Sequence, residues 1–194
     1  MGRLRLILII GAIAVAAVGS WQVVNRLLNP MHSGPHPMLN RSPDGIAGIE
    51  NGQQQKPIPV QLYFADMERS FLVAENRLLP RLKNPSEFGS LIINELIRGP
   101  AAEGIPTIPN STTLRALYVA EGVAYVDLSG NIRRLHPGGS DSELFTLFSI
   151  VNTLTLNVPE IRTAKLLLDG EVSATLAGHI DIRHPFKANM LMVR

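Results

Sequence analysis

Residues 84–100 read NPSEFGSLIINELIRGP and predict one complete helix. Asn84 can cap the first turn with its side-chain oxygen, and Pro85 has the backbone angle of a first helical residue. Gly99-Pro100 ends the helix, because Gly tolerates the left-handed cap and Pro cannot continue the hydrogen-bond ladder. An apolar stripe recurs between these ends at helical spacing, at Phe88, Leu91, Ile92 and Leu96. The helix must therefore bury one face against another layer.

Two predicted hairpins flank this helix. Residues 58–65 alternate apolar and polar side chains and predict a strand, and residues 70–79 predict its partner. Downstream, Thr112–Ala120 and Val123–Ser129 predict a second pair of strands. Only Glu121-Gly122 separates them, which is typical of a tight hairpin turn.

The remaining signals repeat this pattern of helix and hairpin. Ser140-Asp-Ser-Glu143 has the sequence of a capping box and predicts the start of a second helix. Thr163–Leu168 and Val172–Leu176 flank Asp169-Gly170, which predicts a third hairpin. The order ββαββαββ predicts an α+β fold, a two-layer sandwich in which two helices pack on one face of a mixed β-sheet.

The distribution of charge and the absence of Cys exclude several classes of function. Residues 1–57 carry five basic and two acidic residues, whereas residues 58–194 carry thirteen basic and fourteen acidic ones. The basic excess behind the pI of about 9.2 thus lies outside the predicted domain. Nucleic-acid-binding domains concentrate Lys and Arg on one face, so we expect no nucleic-acid partner. The absence of Cys excludes disulfides, Cys-ligated metals, a thiol nucleophile and an acylated lipoprotein N-terminus.

The N-terminus predicts membrane attachment. Residues 1–24 carry Arg3 and Arg5 before an apolar run that would rise about 28 Å as a helix, close to the thickness of the bilayer core. The arginines favour a cytoplasmic N-terminus, so we predict a signal anchor in the cell membrane, single-pass, with the C-terminal domain outside the cytoplasm. Cleavage after Ala14-Val15-Ala16 and a buried core helix are the alternatives.

The rest of the chain divides into three segments. Residues 25–57 are rich in Pro, Gly and Gln and predict a disordered linker. Residues 58–186 predict the folded domain, and residues 187–194 predict a C-terminal tail.

The predicted domain resembles the GerM domain, the sporulation and spore-germination domain of exported bacterial proteins. The likeness runs from about residue 60 to 186 and rests on the order and spacing of short pieces. These are VQLYFAD at 60–66, LIINELIRGP at 91–100, IPNST at 108–112, GVAYVDLS at 122–129, SEL at 142–144, IVNTLT at 150–155, LDG at 168–170 and Gly178-His179. The resemblance implies a small α+β domain similar to ring-building modules, envelope association and a non-enzymatic role, and it supplies no catalytic residues.

The strongest candidate for a ligand-facing site precedes the second helix. It comprises Arg133, Arg134, His136, Gly138, Gly139 and Ser140. Arginines beside free helix N–H groups can hold a carboxylate or phosphate, although plain helix capping explains the same residues. His179 and Asp181 are a weaker candidate for a metal or acid–base pair, with an exposed polar strand as the alternative. Asp127 has no recognisable partner for a catalytic role and is expected either to end its strand or to hydrogen-bond a loop backbone.

These observations predict a non-enzymatic, membrane-tethered envelope module that binds an envelope protein or peptidoglycan and needs no metal or other cofactor. Two alternatives stay open: a wall-polymer hydrolase that uses His179 and Asp181, and a self-associating ring component.

Overall fold

A computed structural model of the chain describes residues 56–194; the predicted anchor and nearly all of the predicted linker lie outside this range. The strands are β1 (Pro57–Ala65), β2 (Leu72–Pro80), β3 (Leu114–Ala120), β4 (Val123–Leu128) and β5 (Thr163–Leu168). The helices are α1 (Pro85–Arg98), α2 (Asn131–Arg134) and α3 (Ser140–Asn157), and a 3-10 turn spans Met190–Met192. Within residues 56–194, no helix has the length and apolar character needed to cross a membrane.

Helix α1 forms as its sequence predicts. The Asn84 side-chain oxygen accepts hydrogen bonds from the backbone N–H groups of Ser86, at 2.8 Å, and Glu87, at 3.3 Å. Gly99 ends the helix with φ 93°, a conformation that favours glycine. The apolar stripe is buried, with Ile92 fully inside the core.

The strands form two sheets around one core. Strands β1 and β2 pair antiparallel, while β4 pairs antiparallel with β3 and parallel with β5. Helix α1 packs against β1 and β3, helix α3 packs against β1 and β5, and the two helices touch each other. The predicted α+β sandwich is therefore confirmed, although its strands are divided between two sheets.

The predicted third hairpin is wrong beyond its turn. Asp169 and Gly170 adopt the left-handed angles of a tight turn, φ 54° and 87°, but residues 172–176 form no strand. The Leu176 N–H bonds instead to the Ile180 carbonyl, and the Ile182 N–H bonds to the Ala174 carbonyl, both at 3.1 Å. These two backbone bonds close residues 174–182 on themselves, and the strand order ends at β5.

The outer edge of β1 is closed by side chains of helix α3. The Gln61 N–H donates to Asn157 Oδ1 at 2.9 Å, and Asn157 Nδ2 donates back to the Gln61 carbonyl at 2.7 Å. The Tyr63 N–H donates to Thr153 Oγ1 at 3.2 Å. The C-terminus meets β2, where the Arg194 N–H donates to the Leu72 carbonyl at 3.0 Å.

Candidate functional site

The predicted ligand-facing residues are divided between the two sides of the short helix α2. Arg133 faces the loop after β5, donating from Nε to the Leu176 carbonyl at 3.1 Å and from Nη2 to the Thr175 carbonyl at 2.8 Å. Arg134 donates to the Asn131 side chain. These guanidinium groups therefore already hold backbone and side-chain acceptors, which leaves fewer N–H groups for an anion.

Two concavities lie beside this segment. The first, of about 710 Å³, is lined by both arginines, but Asp169 and Glu171 also line it and oppose an anion. The second, of about 280 Å³, contains His136 and lies between the loop Ile105–Ser111 and the start of α3. We name this second one the proline-loop cleft. Its lining is Ala65, Arg69, Ile105–Ser111, Leu135–Pro137, Ser142, Phe145 and Thr146.

His136 is the one predicted site residue in the lining of the proline-loop cleft. Its Nδ1 accepts from the Gly138 N–H at 3.0 Å, and its Nε2 lies 2.9 Å from Thr146 Oγ1. Burial lowers the pKa of His136, and the Glu143 charge and a hydrogen bond with Ser142 offset this only in part. The imidazole is therefore held neutral at neutral pH, with its Nε2 proton directed at α3.

Gly138 and Gly139 allow a backbone conformation that other residues disfavour. Their φ angles are 80° and 86°, and no atom lies within 4 Å of the place where a Cβ would stand at either residue. Glycine is therefore required here by conformation, because side chains disfavour positive φ, and not by close approach of another group. Helix α3 begins at Ser140 with Gly139 as its cap and without a side-chain cap, so the predicted capping box is wrong.

Glu143 anchors a distant loop instead of capping its own helix. The side chain is fully buried and accepts from the backbone N–H groups of Ala177, at 3.0 Å, His179, at 3.1 Å, and Ile180, at 3.0 Å. His179 Nδ1 lies 2.7 Å from the same carboxylate. Burial alone would raise the pKa of Glu143, but these hydrogen bonds together lower it to about 2. We call this arrangement the Glu143 anchor.

Sequence reasoning missed the Glu143 anchor because an acidic residue in the first turn of a helix is normally assigned to capping. The loop that it holds lies 34 to 37 residues further along the chain. A carboxylate and a loop that are this far apart along the chain leave no recognisable pattern in the sequence.

The predicted pair of His179 and Asp181 does not form. His179 bonds to Glu143, whereas Asp181 accepts from its neighbour Arg183, with 2.6 Å from Nη2 to Oδ2. The Arg183 hydrogen bonds hold the pKa of Asp181 well below its usual range. Over residues 56–194, no group of three His, Asp or Glu side chains could hold a metal ion.

Asp127 binds a loop backbone, as predicted. Its Oδ1 accepts from the Gly170 N–H at 2.7 Å, and its Oδ2 lies 3.2 Å from Arg115 Nε. Like Glu143, this carboxylate holds a turn in place. The polar residues singled out by the sequence thus fix loops around the proline-loop cleft and the end of the sheet, and they form no arrangement of nucleophile and base.

The same architecture occurs in solved structures. A presumed lipoprotein from Clostridium perfringens matches with 26% identity and a TM-score of 0.50, over 68% of this chain and 88% of that one. The first GerMN domain of the sporulation protein GerM from Bacillus subtilis matches with 18% identity and a TM-score of 0.53, over 69% of this chain and 98% of that one. The structure of the tandem GerMN domains of the same protein matches with 19% identity and a TM-score of 0.52, over 68% of this chain and 46% of that one.

Sequence comparison agrees with this likeness of fold. A search of the curated proteins gave no significant match. The family model described as Germane, sporulation and spore germination, matches residues 61–174, which is more than half of the chain. These residues run from the second half of β1 to just beyond the end of β5. The chain therefore belongs to the Germane family of sporulation and spore germination domains.

Proposed function

We propose that this protein is a non-enzymatic, membrane-tethered module of the bacterial cell envelope that binds an envelope partner, a protein or a wall component, through the proline-loop cleft. The cleft carries the proposal. It is a concave surface that combines apolar residues, such as Ile105, Leu135 and Phe145, with polar ones that can fix orientation, as in typical binding sites. The polar lining residues are Arg69, Thr107, Asn110, Ser111, His136, Ser142 and Thr146. Leu135 stands at this surface with 58% of its area exposed.

Three observations support the envelope location. Residues 1–24 have the length, apolar character and flanking arginines of a signal anchor. The domain belongs to a sporulation and germination family. One structural relative is described as a presumed lipoprotein. Because this chain has no Cys to acylate, its tether is proposed to be a helix, with the domain outside the cytoplasm.

The described side chains support binding more than catalysis. Three acidic residues discussed above are engaged in structural contacts: Glu143 with a loop, Asp127 with Gly170 and Asp181 with Arg183. The neutral imidazole of His136 faces the hydroxyl of Thr146. Among the contacts of the described residues, neither a carboxylate nor an activated hydroxyl joins this pair, so the three groups of a catalytic triad are not assembled. A binding role needs only the shape and rigidity that these contacts provide.

In-cell photo-crosslinking tests the proposal. A photoreactive residue replaces Leu135, which lines the proline-loop cleft, and a matched one replaces Leu78, which is 72% exposed on β2 and lies outside the cleft. We expect a specific adduct from position 135 and none from position 78, and mass spectrometry of the adduct identifies the partner. Equal labelling at both positions would contradict a site in the cleft.

Fractionation of the same cells tests the tether. We expect the full chain in the membrane fraction, and protease added outside intact spheroplasts should degrade the domain. Recovery of the chain in the cytosolic fraction would refute the envelope role.

A further inference from the structure

The open face of the three-stranded sheet carries a row of side chains that the core does not use. Tyr118, Tyr125 and Lys165 are register neighbours across β3, β4 and β5. The adjoining row, which starts at Leu117 and continues with Val126, is buried in the core. Because side chains alternate between the two faces of a strand, the row of Tyr118, Tyr125 and Lys165 faces away from the core. Tyr118 is 48% exposed.

The two tyrosines present stacked aromatic rings. Their ring centroids lie 5.5 Å apart and their planes differ by 20°. An exposed ring of this kind offers a flat apolar surface together with a phenolic hydroxyl that donates and accepts hydrogen bonds. Pyranose sugars match both properties, because the C–H groups on one ring face are apolar and the ring edge carries hydroxyls.

Two lysines add positive charge to the same face. Lys165 lies beside Tyr125 in the row. Phe186 pairs with Ala164 at the edge of β5 and packs edge-to-face on Phe148 of helix α3, so its side chain lies on the core side of the sheet. Because neighbouring side chains alternate along an extended segment, Lys187 lies on the opposite side, the same as Lys165. Within residues 56–194, neither lysine has a carboxylate at ion-pair distance.

The carboxylate on this face does not cancel that charge. Asp127 shares the outward side of β4 with Tyr125, but its side chain is only 9% exposed and is paired with Arg115. The face is thus aromatic and cationic, which is complementary to an anionic ligand that contains flat rings.

We infer that the tyrosine–lysine face (Tyr118, Tyr125, Lys165 and Lys187) binds an anionic polysaccharide, a strand of pyranose rings with carboxylate substituents such as peptidoglycan. The sugar rings stack on the tyrosines while the carboxylates meet the lysine ammonium groups. Nucleic acid fits less well, because a phosphate on every nucleotide requires a broader cationic surface than a domain of near-neutral charge offers. This face is separate from the proline-loop cleft, so the inference does not depend on the cleft having a partner.

Co-sedimentation with purified peptidoglycan sacculi tests the inference on the full chain in detergent micelles. We expect saturable binding, which Tyr118→Ala and the double variant Lys165→Glu/Lys187→Glu each weaken by about tenfold, the effect of losing one good contact. The double variant should also remove the salt dependence of binding. Lys83→Glu, a charge reversal at an exposed lysine before α1, is the matched control and should bind like the original protein.

Further arms separate the ligand classes and guard against misfolding. Glycan strands released by an amidase, which frees the lactyl carboxylate of each muramic acid, should compete with sacculi for the protein, whereas the released stem peptides, which have carboxylates but no pyranose rings, should not. If Tyr118→Ala lowers the unfolding temperature, the lysine double variant decides the question. Absence of binding, equal binding by the original protein and the lysine variant, or tighter binding to single-stranded RNA than to sacculi would overturn the inference.

Discussion

Two loops of this domain are held by acidic side chains, and they are held in different ways. The loop 177–180 depends on one fully buried carboxylate, that of Glu143, which accepts three backbone N–H bonds and one from His179. The loop after α1 depends on Glu75 of β2, whose Oε2 accepts from the N–H groups of Ala101, at 2.9 Å, and Ala102, at 3.1 Å.

The second loop has additional support. Arg77 pairs with Glu75 at 2.7 Å and with Glu95 at 3.1 Å, and its guanidinium carbon lies 5.7 Å from the centre of the Phe64 ring. It also donates to the Glu95 carbonyl of helix α1. A shared network spreads the loss of one member over the others, whereas loss of Glu143 removes its three backbone contacts with the loop at once and leaves the bond between Leu176 and Ile180. The two loops should therefore respond very differently to substitution.

Glu143→Gln should have the largest effect. The amide keeps the size of the side chain but has one acceptor oxygen, and its NH2 group faces buried N–H donors. We expect the free energy of unfolding to fall by roughly 3 kcal/mol, as for a broken buried charged contact. Urea denaturation followed by circular dichroism measures it. A loss under about 1 kcal/mol would mean that the loop is held by other contacts.

Acidification should act through the same carboxylate. The pKa of Glu143 is about 2 in the fold against an ordinary value of 4.5, so the folded state binds this proton less readily than the unfolded state does. Its stabilisation is complete above pH 4.5 and is lost as the pH falls towards 2, by at most about 3 kcal/mol. Urea midpoints across this range should fall less steeply with decreasing pH in Glu143→Gln. Parallel pH profiles would refute the assignment.

Glu75→Gln should cost less, roughly 1 to 2 kcal/mol, because the amide oxygen still accepts from the loop and Arg77 keeps Glu95. Desolvation raises the pKa of Glu75, but hydrogen bonds from Ala102, Arg77 and Ala101 together lower it. The same urea experiment measures the change. An effect equal to that of Glu143→Gln would remove the distinction between a network and a single anchor.

Arg98→Ala should have the smallest effect. Arg98 pairs with Glu95 at 2.8 Å, but 72% of its side chain is exposed and Glu95 keeps its bond to Arg77. We expect a change below about 0.5 kcal/mol, typical of surface pairs. A larger loss would show that this exposed arginine is a full member of the network.

The sequence predicts the parts of this fold whose signals are local. Asn84 and Gly99 mark the ends of α1 as predicted, although Gly99 has φ 93° and ψ 177° and not the angles of a left-handed cap. The Glu121-Gly122 turn forms with φ 52° and 83° and joins β3 to β4. The contacts of Glu143 and Glu75 could not be predicted in this way, because their loop partners are 26 to 37 residues away and follow only from tertiary packing.

The third hairpin was predicted wrongly for the same reason, because tertiary packing and not the local sequence decides how the chain continues after the turn. Asp169-Gly170 turns the chain just as Glu121-Gly122 does, but β5 already pairs with β4 on one side. Its other edge meets Phe186, which exchanges hydrogen bonds with Ala164 at 2.8 and 2.9 Å. Phe186 thus occupies one end of this edge, and Glu171 exchanges hydrogen bonds with Leu168 at the other end before the chain leaves β5. A turn signal indicates a change of direction, and the occupancy of the strand edge decides whether a ladder follows.

The amide of Asn157 has a consequence for aggregation. A bare strand edge is a template on which another chain can extend the sheet, and repeated extension leads to fibrils. Here one side chain occupies both the N–H and the carbonyl of Gln61, so an incoming strand finds this pair already used. Because the amide belongs to a helix, it offers no further ladder for growth. Pro57 and Pro59 of β1 lie on the same edge as Gln61 and Tyr63 and have no N–H to offer, so these prolines and the Asn157 amide together protect this side of the small sheet.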